Sequence, residues 1–224
     1  NHRAYSDHMY YLWHYGYVLL CNILLFPQPK NGIFCKYIFL ADEILKPGSL
    51  LRTNSIAFLC KYASYLYWGN GYMAGAELNE DMVSIKKNTL TVLTPKGGSL
   101  KDYAFREAAY VFYRNGLYYF MWSVDDTGSP NYHVAYGTSK SPLGPVKVAK
   151  KPVVLIQDPA KEIYGPAHNA VLQIPGTDEW YIVYHRINKN FIDREKGPGV
   201  HREVCIDRME FNPDGTIRKV VPTL

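Results

Sequence analysis

The sequence predicts an all-β fold made of repeated hairpins on the scale of β-propeller blades, and three observations carry this prediction. First, the 224-residue chain holds 20 Tyr, 9 Phe and 4 Trp, residue types that favour strands and half-wet clefts. Second, aromatic strand-like runs recur roughly every 50 to 60 residues, which is the repeat length of a propeller blade. Third, no segment sustains a helical period of apolar residues.

Along the chain, the recurring unit is a β run, a polar or glycine-containing turn and an aromatic strand. Asn115-Gly116 and Pro175-Gly176-Thr177-Asp178 are typical hairpin turns, and Asn212-Pro213-Asp214-Gly215 closes the last hairpin. The one helix candidate, Ala41 to Lys46, ends at Pro47-Gly48. The predicted aromatic strands are Tyr15–Leu20, Tyr65–Trp68, Tyr118–Trp122 and Trp180–Tyr184, and later strands follow at Tyr132–Gly137 and Val204–Phe211.

The most apolar run extends from Tyr10 to Phe26 and is close to the length of a membrane span. It contains His14, Gly16 and Asn22, a pattern that favours two buried strands with a turn over a membrane helix. We therefore expect no membrane span. Because no linker-like segment divides the chain, we expect residues 1–224 to form a single propeller-like domain.

The charge distribution indicates a solvated surface and not a nucleic-acid-binding face. The net charge is +5, but the 25 basic residues are spread along the chain, with no run longer than Lys86-Lys87 or Lys150-Lys151. Four cysteines, at positions 21, 35, 60 and 205, form no CxxC pair, so a zinc knuckle or a thioredoxin-like motif is not expected. Their spacing leaves disulfide formation open.

The most informative polar residue is Glu107, at the mouth of the predicted hairpin between Phe105 and Ser123. It is the only acidic residue between Asp102 and Asp125, in a run otherwise composed for burial. A carboxyl group at such a position either satisfies a local hydrogen-bond network or serves as a proton donor. The choice between these two interpretations decides the function.

Several further segments form a series along residues 52 to 224. In chain order they are Tyr65-Leu66-Tyr67-Trp68-Gly69-Asn70-Gly71-Tyr72, Ala76-Glu77-Leu78-Asn79, Arg106-Glu107-Ala108, Ser141-Pro142-Leu143-Gly144-Pro145, Gly165-Pro166-Ala167-His168-Asn169, Asp178 to Arg186 and Arg202 to Arg208. This series resembles glycoside hydrolase family 43, the β-xylosidase and α-L-arabinofuranosidase type. Residues 1–51 match the family poorly.

The resemblance implies a five-bladed β-propeller that hydrolyses pentose-containing plant glycans, β-xylosides or α-L-arabinofuranosides, with inversion. Inversion needs a protonated carboxyl at the leaving oxygen and a carboxylate that activates water, about 6.5–9.5 Å apart. The resemblance assigns the acid to Glu107 and the base to Asp7. The segment between Asp7 and Glu107 is short for two complete blades, so we expect the N-terminal blades to be incomplete or divergent.

Each of the two acids has a plainer alternative. Glu107 would otherwise be a structural acid at a strand end, and Ala109 stands near it where the family usually has Pro. Asp7 would otherwise be a surface residue near the terminus, and His8 replaces the Pro that follows the family's base. The family's third acid, which keeps the proton donor protonated, has no counterpart between Arg52 and Ser64, and Asp42 is the nearest candidate.

The resemblance also implies roles around the substrate pocket. His168 is expected beside a calcium ion or water near the propeller axis, acting through waters because calcium prefers oxygen ligands; the alternative is a core histidine. Arg202 is expected to bind sugar hydroxyls, or otherwise to form a structural salt bridge. Trp68 and Trp122 stack on a sugar ring or belong to the core.

The resemblance thus implies a glycosidase with structural calcium held through waters and a carbohydrate as its partner, and the spread of charge argues against nucleic acid. The rival hypothesis is a non-catalytic carbohydrate-binding propeller that has lost part of the acid triad. Secretion or a periplasmic location is expected, with the cytoplasm as the alternative, although no signal-peptide pattern is present in the chain. The oligomeric state is left open.

Overall fold

The computed structural model of the protein describes residues 63–95, 99–190 and 197–223 in full, and the backbone of residues 36–39, 56–59 and 191. Asp7, Asp42, the apolar run from Tyr10 to Phe26 and the helix candidate from Ala41 to Lys46 lie outside the described residues. The described part is all-β, as predicted. Its helices are 3₁₀ turns of three residues each, at Lys87–Thr89, Leu100–Asp102, Pro159–Lys161, Lys189–Phe191 and Pro198–Val200.

Twelve strands are present in the described residues. They are β1 Lys36–Phe39, β2 Ile56–Leu59, β3 Ser64–Trp68, β4 Ala74–Glu77, β5 Thr91–Val92, β6 Glu107–Arg114, β7 Leu117–Val124, β8 His133–Ser139, β9 Lys147–Leu155, β10 Ala167–Gln173, β11 Trp180–Ile187 and β12 Arg202–Met209. The predicted aromatic strands beginning at Tyr65, Tyr118 and Trp180 are confirmed as β3, β7 and β11.

The strands form three antiparallel sheets, each a meander in which neighbours in the chain are neighbours in the sheet. The sheets have the orders β1-β2-β3-β4-β5, β6-β7-β8-β9 and β10-β11-β12. Meandering sheets of three to five strands are the building units of propellers. The described sheets do not form a closed ring, so the predicted count of five blades stays a prediction.

The β6–β7 hairpin shows how local sequence sets this topology. Arg114 pairs with Leu117 across a two-residue turn. Asn115 has φ 48° and Gly116 has φ 86°, so both turn residues adopt the left-handed conformation that a tight hairpin requires. The turn predicted from the Asn-Gly pair is therefore confirmed.

The core is aromatic and lies between the sheets. Trp122, Phe120, Phe112 and Tyr67 are almost fully buried. Along β7 every residue from Tyr119 to Val124 is buried, which means that both faces of this central strand are covered. The hydroxyl of Tyr110 donates to the Val171 carbonyl at 2.8 Å and so ties the second sheet to the third.

Among the described residues, no helix has the length or the apolar character needed to cross a membrane.

Candidate active site

Glu107 is the first residue of β6, and its carboxyl group leaves the sheet at an irregularity. It pairs with Ser123 of β7, and a β-bulge then separates that pair from the next pair at Tyr110. Within the bulge Ala108 has φ 58°, a conformation that non-glycine residues rarely adopt. Bulges of this kind re-aim a side chain at the edge of a sheet. Glu107 is accordingly half-buried, while the alanine after it is buried.

His168 occupies a second bulge, on β10, which faces the first. The register of β10 against β11 shifts between Ala167 and Ala170, and His168 has φ 54°. Its backbone N–H donates to the Ser123 hydroxyl at 2.9 Å. Ser123 is fully buried and also pairs with Glu107, so this one serine connects both bulges. The two irregularities therefore bring Glu107 and His168 to the same place.

Tyr132 joins these two side chains. Its hydroxyl donates to Glu107 Oε1 at 2.8 Å and lies 3.5 Å from His168 Nδ1. The side chain is fully buried. Burial, and next the negative charge of Glu107, raise the pKa of Tyr132 well above its ordinary value. The phenol therefore stays protonated and serves as a hydrogen-bond donor throughout the working pH range.

Arg202, the first residue of β12, lies on the other side of Tyr132. Its guanidinium carbon is 5.4 Å from the centre of the Tyr132 ring. Nε donates to His185 Nδ1 at 2.8 Å, and Nη1 donates to the Thr127 carbonyl at 2.8 Å. Nη2 donates to the carbonyls of Gly165 and His185. Burial lowers the pKa of Arg202 to about 10, so the group is still cationic at neutral pH.

The bonds of Arg202 bear on its predicted role. They use both hydrogens of Nη2, the hydrogen of Nε and one hydrogen of Nη1. Of the five N–H groups in a guanidinium, one on Nη1 is left for a ligand. Arg202 therefore anchors the site first of all, and the binding of a sugar hydroxyl stays a prediction for that remaining N–H.

Gly165 allows this close approach. It has φ +55°, and a Cβ atom there would lie 2.8 Å from the Ser129 carbonyl oxygen and 3.3 Å from Nη1 of Arg202. A side chain at this position would push the arginine away. The glycine of the Gly165-Pro166-Ala167-His168 motif thus has a packing reason beside its backbone conformation.

His185 completes the group, and its proton can be placed. Since Nδ1 accepts a hydrogen bond from Arg202, the neutral ring carries its proton on Nε2. Burial, then the positive charge of Arg202, lower the pKa of His185 to about 2. Burial likewise lowers the pKa of His168, whose ring centre is 5.2 Å from that of His185. Both histidines are neutral beside one carboxyl group and one arginine.

The turn between β3 and β4 reaches the same region. Gly71 N–H donates to the Arg106 carbonyl at 2.7 Å, and the Arg106 side chain hydrogen-bonds to Asn70. Arg106 also lies 3.4 Å from Asp126, an exposed acid. The first sheet is thereby attached directly to the residue that precedes Glu107.

The structure brings together three of the residues singled out by the sequence, Glu107, His168 and Arg202, and it does so through Tyr132. From the sequence, Tyr132 was expected only as part of a strand, and no role was predicted for His185 or Ser123. The position of His185 could have drawn attention to it, because it directly follows the predicted strand from Trp180 to Tyr184. Nothing in the local sequence distinguishes Tyr132 from a core tyrosine.

The two tryptophans lie elsewhere. Trp122 is fully buried, and its indole N–H donates to the Tyr103 carbonyl at 2.7 Å. Trp68 is 3% exposed and packs in a small cluster with Leu66 and Leu78. A ring that stacks on a sugar needs an accessible face. The burial of both rings favours the core interpretation over the predicted stacking on substrate.

The described residues do not by themselves make a calcium site at His168. No group of three or more His, Cys, Asp or Glu side chains that could hold a metal is found among them. Among the described residues, Asn169 Oδ1 is the one buried side-chain oxygen without a hydrogen-bond partner. Calcium takes six to eight oxygen ligands, so a single free oxygen is not enough to hold it. Nδ1 of His168 faces the Tyr132 hydroxyl. A calcium ion beside His168 therefore stays a prediction.

The fold is a series of antiparallel meanders that surround a group of carboxyl, phenol and histidine side chains, and comparison with known proteins assigns the family. The model of the family described as glycosyl hydrolases family 43 matches residues 57–217. The chain therefore belongs to that family, and the resemblance seen in the sequence is confirmed. The matched segment contains Glu107, Tyr132, His168 and Arg202.

A curated relative and two solved structures illustrate the similarity. The chain is 38% identical over 162 residues to the beta-D-galactofuranosidase xynD of Aspergillus niger, covering 72% of this chain but only 43% of that relative. A thermostable family-43 glycoside hydrolase is 25% identical with a TM-score of 0.66, and the match covers 81% of this chain and 61% of that structure.

The second structure is CoXyl43, a β-xylosidase/α-arabinofuranosidase from a compost microbial metagenome, solved with xylotriose in a calcium-free form. It is 20% identical with a TM-score of 0.56, and the match covers 72% of this chain and 55% of that structure. This likeness bears on the fold alone. The chain thus spans less than half of the curated relative and little more than half of these structures.

Proposed function

We propose that the protein is an inverting glycosidase in which Glu107 protonates the leaving oxygen. The observation that carries the proposal is the carboxyl group of Glu107, half-buried at the bulged start of β6 and hydrogen-bonded to Tyr132. A structural acid in a propeller core would be expected to have both oxygens satisfied by the protein. Here the described hydrogen bonds engage one oxygen, Oε1.

The chemistry requires a second carboxylate. As the bond between the anomeric carbon and the leaving oxygen breaks, Glu107 transfers its proton to that oxygen. On the opposite face a base takes a proton from water, whose oxygen bonds to the anomeric carbon and inverts it. Asp7 is our proposed base, and it lies outside the described residues. A separation of about 6.5–9.5 Å between the two carboxyl groups is expected.

The environment of Glu107 supports this division of labour. Arg202 is a fixed cation, and the two histidines beside it are neutral. The carboxylate that remains after proton transfer would therefore form next to a positive charge and a phenol donor, which stabilises it. His168 and the free N–H of Arg202 are proposed to contact sugar hydroxyls.

For the substrate we propose a glycan that carries arabinofuranosyl or xylosyl units. The motifs in residues 52 to 224 resemble those of β-xylosidases and α-L-arabinofuranosidases, and this resemblance supports the proposal. The curated relative from Aspergillus niger is named for β-D-galactofuranose, which shares the five-membered ring of an arabinofuranoside. A galactofuranoside therefore belongs in any substrate panel. Because such glycans are extracellular polymers, we propose a secreted or periplasmic location, and a single five-bladed propeller over residues 1–224.

The test compares Glu107→Gln with the unchanged protein on phenyl α-L-arabinofuranoside, β-D-xyloside and β-D-galactofuranoside, whose leaving oxygen needs a proton. Loss of at least about 10²-fold in kcat is expected, because general acid catalysis contributes that much or more. Glu179→Gln is the matched control, since Glu179 also accepts a hydrogen bond from a tyrosine, Tyr181, at 2.8 Å. Unchanged turnover in Glu107→Gln would overturn the proposal.

Two further measurements separate the remaining alternatives. Proton NMR of the first product formed should show the anomer opposite to that of the substrate, and a retained anomer would exclude inversion. Calorimetry with xylo- and arabino-oligosaccharides tests the carbohydrate-binding rival. Binding without hydrolysis in the unchanged protein would favour that rival over the enzyme.

A further inference from the structure

The geometry points to Tyr132 as a positioning residue that fixes which oxygen of Glu107 carries the catalytic proton. This inference rests on the proposed function, because it presumes that Glu107 is the acid. The phenol hydroxyl has a single proton to donate. It lies 2.8 Å from Glu107 Oε1 and 3.5 Å from His168 Nδ1, so the carboxyl oxygen is its acceptor.

The hydroxyl cannot turn to another partner in the solvent. Tyr132 is fully buried, and its backbone N–H donates to the Ser129 carbonyl at 3.1 Å. The His185 ring stacks beside the phenol ring, with centres 6.3 Å apart and planes 23° apart. The Arg202 guanidinium covers it from another direction. The ring that carries the hydroxyl is thereby held in place on several sides.

This arrangement makes the two oxygens of Glu107 unequal. When Oε1 accepts the hydrogen bond from Tyr132, the acidic proton belongs on Oε2. The reverse arrangement, in which Oε1–H donates to Tyr132, would leave the phenol proton two weaker acceptors: His168 Nδ1 at 3.5 Å and the Ser123 hydroxyl, which already accepts the His168 N–H. Tyr132 therefore holds the proton on the oxygen that it does not touch.

The hydrogen bond from Tyr132 affects the step in which the glycosidic bond breaks. The Oε2–H bond breaks as the new O–H bond forms at the leaving oxygen, and the electron pair of the broken glycosidic bond stays with that oxygen. The negative charge left on Glu107 is then shared with Oε1, where the phenol hydrogen bond strengthens. The effect of Tyr132 should thus appear only when the leaving group needs a proton.

The test is a comparison of leaving groups in Tyr132→Phe. A phenyl glycoside needs protonation of its leaving oxygen, whereas a 2,4-dinitrophenyl glycoside departs as a stable anion. We expect kcat to fall about 10- to 100-fold on the phenyl substrate, a part of the usual contribution of general acid catalysis. On the dinitrophenyl substrate the fall should be under about threefold, with KM little changed on both.

Tyr181→Phe is the matched control, since it removes a phenol bonded to Glu179 at the same 2.8 Å. Tyr181→Phe should leave kcat unchanged on both substrates. An equal loss on both substrates in Tyr132→Phe would assign Tyr132 a merely structural role and overturn the inference. Glu107→Gln, run in parallel, should show the same selective loss in a larger form. If Glu107→Gln had the same kcat on the phenyl substrate as the unchanged protein, the proposed function itself would be overturned.

A second variant tests the same inference if Tyr132→Phe does not fold. Tyr132→3-fluorotyrosine keeps the hydroxyl and nearly the same volume, but makes the phenol a stronger hydrogen-bond donor. A stronger donor stabilises the ionised carboxylate. The basic limb of the kcat profile on the phenyl substrate should therefore move to lower pH. A basic limb that stays in place would contradict the assigned role.

Discussion

At the scale of the residue, the site depends on neutral side chains that are held beside a cation. His185 accepts a hydrogen bond from Arg202 on Nδ1, and its pKa is lowered to about 2 by burial and by that arginine. A histidine in the unfolded chain has a pKa of about 6.5. Between these two values the unfolded chain binds a proton that the folded protein does not bind.

This difference predicts a pH dependence of stability. Stability is fully retained above the unfolded pKa and is lost as the pH falls below it, by up to about 1.4 kcal/mol per unit. From pH 7 to pH 5, His185 alone should cost about 2 kcal/mol. His185→Gln keeps an acceptor for Arg202 without a titrating group. Urea unfolding at both pH values should show a correspondingly smaller loss in that variant, and an unchanged pH dependence would contradict the burial of a neutral His185.

Trp122 carries a second prediction at this scale. Trp122→Phe removes indole volume from the core and leaves the Tyr103 carbonyl without its donor. A loss of about 2–4 kcal/mol in the free energy of unfolding is expected from these two effects. Val92→Ala, at a site that is 69% exposed, should change it by less than about 0.5 kcal/mol. A raised KM without destabilisation would restore the substrate-stacking role of Trp122.

At the scale of the element, the β6–β7 hairpin holds Glu107 at one end and its turn at the other. Gly116 has φ +86° and open space where a Cβ atom would stand. Gly116→Ala should therefore destabilise the protein by about 1 kcal/mol through backbone conformation alone. Gly128→Ala is the matched control, since a Cβ there meets only Asp126 Oδ1 at 3.5 Å and no positive φ is required. Thermal unfolding of the two variants checks this, and equal melting temperatures would refute it.

The strands were predictable because their signals are local. Continuous apolar and aromatic runs and an Asn-Gly pair are enough to place β6, β7 and the turn between them. The bulges were not predictable, since Ala108 and His168 are non-glycine residues with positive φ that only the surrounding sheets impose. Those two bulges bring Glu107 and His168 together. For this reason the sequence identified the separate residues but not Tyr132, which links them.

At the scale of the whole molecule, the C-terminal segment ties two sheets together. Val220 N–H donates to the Val154 carbonyl on β9, at 2.7 Å. Asp207 on β12 accepts bonds from the Thr223 hydroxyl at 2.7 Å and from the Thr223 backbone N–H at 3.2 Å. The same buried carboxyl group accepts the Tyr184 hydroxyl at 2.7 Å. The second and third sheets are thus held by one strap, residues 220–223.

Asp207 on β12 anchors that strap through Thr223, and its removal gives the last prediction. Asp207→Ala leaves the Tyr184 hydroxyl buried without its acceptor and frees Thr223, so a loss of about 3 kcal/mol is expected. Glu210→Ala, whose side chain is 51% exposed in ion pairs with Arg208 and Arg218, should cost under about 1 kcal/mol. Urea unfolding measures both losses. Limited proteolysis should release the C-terminal residues from folded Asp207→Ala and not from Glu210→Ala, and equal protection in the two variants would mean that the strap is held by its other contacts.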